Sequence, residues 1–142
     1  AAQAEPIAQA ALARWTELGA GSLLSSVQFV VTDLPGTLLG SASGSTIYLD
    51  LDAAGHGWFL DATPALSEEF TSVAGSSELR ALDAQAVDRI DLLSVVQHEL
   101  GHVAGLKDLD ATLDTLMSDT LSTGTRRAAS KAEVDAVFAD LK

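Results

Sequence analysis

Eleven consecutive residues, His98-Glu99-Leu100-Gly101-His102-Val103-Ala104-Gly105-Leu106-Lys107-Asp108, constrain this chain more than any other stretch of it. Residues four apart lie on one face of a helix, so a helix through the run presents the His98 and His102 imidazoles to a single point. Glu99 is turned about 100° away, beside that point rather than on it. Two imidazoles suit a zinc ion, and a neighbouring carboxylate can take a proton from a water whose pKa the metal has lowered to about 7. The run therefore predicts one helix that carries metal ligands and a general base together.

Gly105 stands where a helix ends in a left-handed residue, a conformation that costs glycine almost nothing and most other residues about 1 kcal/mol or more. The reversal brings Asp108 toward the same point as an oxygen ligand, with Asp110 its rival two residues on. Three protein ligands leave a fourth position open, which separates a catalytic zinc site from a closed structural one. Met117, the sole methionine, follows His102 by fifteen residues within Thr115-Leu116-Met117-Ser118, far enough for a loop to pass beneath the metal. Each part has a plainer reading alone. A bare His-Glu-x-x-His arises by chance on amphipathic helices, a lone methionine fills core, and an aspartate in a loop is usually solvated. The whole run with the later methionine outweighs them.

These residues resemble the metzincin zinc metalloproteases, whose pattern is His-Glu-x-x-His-x-x-Gly-x-x-His followed by a methionine-containing turn. Asp108 stands where most metzincins carry His, as in the snapalysin-type branch. The resemblance implies a zinc endopeptidase acting on peptide or protein substrates, with one catalytic Zn2+ held by His98, His102 and Asp108. It implies Glu99 as general base, a structural turn at Gly105 and a Met-turn at Met117. It also implies an α+β fold: a twisted mixed β-sheet, an N-terminal helix, an active-site helix, the Met-turn and a C-terminal helix. That fold would fill one domain over residues 1–142, with an upper sub-domain to about 105 and a lower one from about 106. Secretion or display at a bacterial cell surface, after excision from a larger precursor, follows from the resemblance too.

Charge and composition narrow the partners. Eight basic residues against twenty acidic ones give a net charge of −12, which repels phosphate backbones and argues against nucleic acid. The absence of cysteine removes disulfides, thiolate zinc fingers and cysteine-protease chemistry. No apolar run reaches the roughly 18 residues of a membrane span, and the first residues lack the basic segment and apolar core of a signal peptide, so none is expected among them. Hydrophobic residues make up 47% but aromatics only 5%, so the core is expected to be mainly Ala, Leu and Val. A monomer is the expected state.

Glu5 to Leu18 carries Ile7, Ala11, Leu12, Trp15 and Leu18 at helical spacing, then Gly19 and Gly21. Val27 to Val31 reads as a buried strand closed by Asp33, Pro35 and Gly36. Thr37–Ala42 and Ser45–Leu51 read as two more strands, the first an edge because Gly40, Ser41 and Ala42 are small. An edge can accept a peptide through main-chain hydrogen bonds. By the resemblance, Leu38, Leu39, Gly40, Ser41 and Ala42 form the rim of a substrate cleft. Residues 61–81 read as a long surface loop. A helix from Asp83 or Asp88 to Val103 would bury Leu92, Val96, Leu100 and Val103, and a last helix, Ser130 to Leu141, carries a capping box with Glu133 and an apolar face of Val134, Val137, Phe138 and Leu141.

Asp50 and Asp52 precede a glycine-rich turn that contains His56, so Ca2+ or a second metal could bind there. An ordinary turn with solvated carboxylates and a surface histidine is favoured, because the EF-hand pattern is absent. Ser118 to Ala128 would shape the pocket beyond the cleaved bond, where Arg126 and Arg127 could favour acidic substrates. Two other functions stay open: a weakly active or inactive surface module that keeps zinc for stability, and a peptidase confined to its own parent chain.

Overall fold

Ile7, Ala11 and Trp15 recur at helical spacing and are buried together in the computed structural model, which describes residues 4–76, 78–109 and 115–140. Along the chain come α1 (Ala4–Glu17), a 3-10 turn (Gly21–Leu24), β1 (Gln28–Thr32), β2 (Gly40–Ser43) and β3 (Thr46–Asp50). There follow β4 (Trp58–Phe59), β5 (Phe70–Ser72), β6 (Leu79–Ala81), α2 (Ala84–Val87), β7 (Ile90–Asp91), α3 (Leu92–Val103), β8 (Thr125–Arg126) and α4 (Lys131–Asp140). The fold is α+β, with four helices and small sheets among the described residues.

Helix α3 is the axis of the molecule. Its Leu92, Val96 and Leu100 share one buried core with Ile7, Ala11 and Trp15 of α1, Ile47 and Leu49 of β3, and Val134 and Val137 of α4. Trp15 buries its ring completely and donates its indole N–H to the Gln97 carbonyl at 3.1 Å, so the polar tip is satisfied where the apolar body is packed. Gln97 in turn accepts from the Ala129 N–H at 2.6 Å, which ties the chain ahead of α4 to the same turn of α3. At the start of α4 Glu133 accepts from both the Ser130 N–H and its hydroxyl, which is the glutamate half of the expected capping box.

The main sheet runs in the order β1-β3-β2, β1 parallel and β2 antiparallel to β3. Strand β2 lies at an edge, as its small residues lead one to expect, but pairing starts only at Gly40, and Leu38 and Leu39 lead into it. Strand β1 lies at the opposite edge. Val30 and Val31 are 40% and 41% exposed, so this apolar run is not the buried strand its β-branched residues suggest. An apolar strand is buried only where both of its faces are covered.

Residues 61–81 are not one loop. Within them Phe70–Ser72 and Leu79–Ala81 pair antiparallel, and β8 adds to the second of these to make a separate sheet. Its side chains Phe70 and Leu79 pack with Phe59 and Ala86 in a small second core. The expected long helix from 83 or 88 is also divided. Asp83 caps α2 by accepting from the Gln85 N–H, two residues of β7 pair with β4, and only then does α3 begin at Leu92. Val103 is half-buried, and Phe138 is exposed rather than part of the apolar face of α4. Leu141 and Asp110 lie outside the described residues.

Candidate metal centre

The end of α3 shows why the chain turns where it does. Ala104 closes the helix, Gly105 takes φ 110°, the Gly105 N–H bonds the His102 carbonyl and the Leu106 N–H bonds the Gly101 carbonyl. This pair of bonds is the Schellman arrangement, which satisfies the last carbonyls of a helix and reverses the chain. The reversed segment is then pinned. Leu109 donates its N–H to the Met117 carbonyl at 2.7 Å and accepts from Asp119 at 3.0 Å, which holds Asp108 beside the helix it has just left.

His98 and His102 are aimed by carbonyls at their far sides. His98 Nδ1 lies 2.7 Å from the Leu116 carbonyl and His102 Nδ1 lies 2.8 Å from the Leu106 carbonyl. A carbonyl only accepts, so each Nδ1 carries a proton, which is the tautomer that leaves Nε2 available as a metal ligand. The two Nε2 atoms are 3.1 Å apart, and Asp108 Oδ1 stands 3.0 Å from one and 2.9 Å from the other. Three acceptor atoms this close repel one another unless a positive charge lies among them. Tetrahedral ligands about 2.0–2.1 Å from a zinc ion are themselves spaced roughly 3.3 Å apart, so the donor set and its spacing fit such an ion. Carbonyls behind both imidazoles are the outer support that metal-binding histidines require.

Glu99 lies beside this triangle and is only 6% exposed. Its carboxylate is near enough to both imidazoles to group with them as a candidate metal cluster. Burial pushes the Glu99 carboxyl above its ordinary value; the two histidines oppose the shift and Asp108 adds to it. A cavity of about 650 Å³ opens over these four side chains, and its walls include Leu38, Leu39, Gly40, Ser41 and Ala42 together with Leu116, Ser118 and Thr120. The residues expected to form a rim and those expected to form a metal site therefore border one space.

Comparison with protein-family models, with curated proteins and with solved structures finds no match.

Beneath α3, Met117 is 2% exposed and packs under Gly101. Nothing in the spacing of the histidines marks Gly101, Leu106 or Leu116 as part of the site, since two of them act through backbone carbonyls and one through the side chain it lacks. The other expected residues are disposed differently. Asp50 is buried and accepts from the backbone N–H groups of Ala54 and Leu34, both at 2.8 Å, and from Asp52 at 3.3 Å, which holds its carboxyl down at about 2. Asp52 accepts from the Gly55 N–H. These carboxylates build the turn, while His56 is exposed on the cavity wall.

Arg126 is not an exposed base near the cleft. It is 1% exposed, bonded to both oxygens of Asp91 at 2.8 Å and to Asp61 at 2.9 Å, and lies 4.3 Å over the Phe70 ring. Those partners join the second sheet to the start of α3, where Ser94 also bonds Asp91. Arg127 does reach the cavity wall, donating to the Thr120 carbonyl with Glu78 3.6 Å away. A second acidic grouping, Asp61, Glu68 and Glu69, lies apart from the cavity lining.

Proposed function

We propose that this chain is a zinc endopeptidase of the metzincin kind, with His98, His102 and Asp108 as the metal ligands and Glu99 as the general base. The observation that carries this reading is the triangle of His98 Nε2, His102 Nε2 and Asp108 Oδ1, with edges of 2.9 to 3.1 Å, beside a buried carboxylate on the wall of a cavity. A bound zinc ion would supply Lewis acidity, polarising the scissile carbonyl and making water acidic enough to attack near neutral pH.

The chain's own residues do the rest. Glu99 accepts the proton of the attacking water and returns it to the departing amine, a role suited to a carboxyl whose burial raises its affinity for a proton. The Leu106 and Leu116 carbonyls hold the imidazoles in the tautomer that leaves Nε2 free. Strand β2, an edge bordering the cavity, offers main-chain groups along which an extended peptide can align. Met117 and Gly101 seat the helix from below.

The reading is tested with the zinc-loaded chain and its Glu99→Gln variant on quenched fluorescent peptides. Chelator-reversible hydrolysis by the parent chain, reduced about 100-fold or more in a variant that still holds zinc, is the expected result. Equal hydrolysis by both would remove Glu99 from the mechanism.

A further inference from the structure

Gly40 opens β2, the strand that packs against α3, and faces Val95 and Glu99 of that helix. A Cβ built on it would stand 3.1 Å from Glu99 Cγ, 3.3 Å from Glu99 Oε2 and 3.1 Å from Val95 Cγ1, closer than side-chain carbons ordinarily approach. Its backbone is not in the left-handed region that eight other glycines of the chain occupy, so conformation does not select glycine here. Space does. Glycine inside a strand weakens it and commonly marks a point where something must come very near, and what comes near Gly40 is the carboxylate side chain of Glu99.

Resting on the reading of Glu99 as general base, we propose that Gly40 is the positioning residue for that carboxylate. Its missing side chain lets the rim strand lie on the flank of Glu99, which closes off one side of the carboxylate to water and limits its rotamers. The same backbone then serves two purposes. It borders the cavity as the edge along which a peptide aligns, and it fixes the general base at a set distance from that edge.

The test compares the zinc-loaded parent chain with Gly40→Ala and with Gly40→Ala/Val95→Ala, in which removal of the Val95 methyls gives the strand room to shift away from Glu99. Two quantities are read: kcat and KM on a peptide substrate, and the carboxyl-carbon NMR signal of Glu99 in the metal-free chains. In Gly40→Ala the expected result is a kcat lowered about tenfold or more, KM and zinc content unchanged, and a displaced Glu99 signal. The double variant should recover much of kcat and return the signal toward its parent position. A Glu99 signal that stays in place in Gly40→Ala overturns the proposal, as does a kcat loss that tracks loss of zinc. The double variant guards against a fold that Gly40→Ala alone breaks: folded with Glu99 restored it supports the proposal, folded with Glu99 displaced it overturns it. A parent chain that cleaves nothing, while the signals move as expected, removes the peptidase reading and leaves the positioning of Glu99 standing.

Discussion

Gly101 and Met117 meet across the underside of α3 so closely that the methionine sulfur lies 2.5 Å from the point a Cβ on residue 101 would occupy. Trp15 stands 3.6 Å from the same point, so the space on that side of residue 101 is filled as well. Gly101→Ala is expected to destabilise the fold by about 1–3 kcal/mol through overpacking, read as a lower urea midpoint with an unchanged slope. Pairing it with Met117→Ala should recover part of that loss, because the two changes share one space.

Asp108 contributes one oxygen to both imidazoles although its side chain is 54% exposed. Asp108→Ala is expected to lower zinc affinity by at least the roughly 10–100-fold that loss of a mere outer-shell partner brings. Competition against a chromophoric chelator measures it. Unchanged affinity would take Asp108 out of the ligand set.

Arg126 neutralises two buried carboxylates, Asp61 and Asp91, at 3% and 1% exposure. Removing it strands both charges, so Arg126→Ala is expected to cost about 3–5 kcal/mol in urea unfolding. The attachment of the second sheet to α3 should fail first, seen as rapid amide exchange in β5 and β6.

Glu69 has its carboxyl pushed up to about 7, by burial first and then by hydrogen bonding to Glu68 and the charge of Asp61. The folded chain therefore holds a proton that the unfolded chain releases above about 4.5. This group's contribution is fully present below that value and is lost as pH rises toward 7, so stability falls across that window. Glu69→Gln should flatten this part of the profile and raise the melting temperature at pH 8 relative to the parent chain.

Much of the candidate site can be read from the sequence because it depends on spacing along one helix. His98 and His102 four apart, Glu99 between them and Gly105 at the turn are local relationships, and local geometry follows from local sequence. Asp108 comes to the imidazoles because the turn at Gly105 is itself local. The supports are different. Leu106 and Leu116 act through carbonyls, which every residue possesses, so no side chain announces them. Gly101 and Gly40 matter for the space they leave, and that space is defined by Met117 and Glu99 from elsewhere in the chain. The second sheet is missed for a related reason: β5, β6 and β8 are two or three residues each, too short for alternation to show, and they are held by Arg126, whose partners lie 35 and 65 residues away. Strand β1 misleads in the opposite direction, since Val30 and Val31 look like core residues but no further strand covers them among the described residues.

Whether the metal-loaded chain breaks peptide bonds decides between an enzyme and a module that only holds metal. A diverse peptide library incubated with the zinc-loaded protein, beside its Glu99→Ala variant, is read by mass spectrometry for new termini. A zinc endopeptidase with Glu99 as general base yields products only from the parent chain, and none once a chelator is added. Products at equal level with the variant, or none from a parent chain shown to hold one zinc ion, would rule that enzyme out.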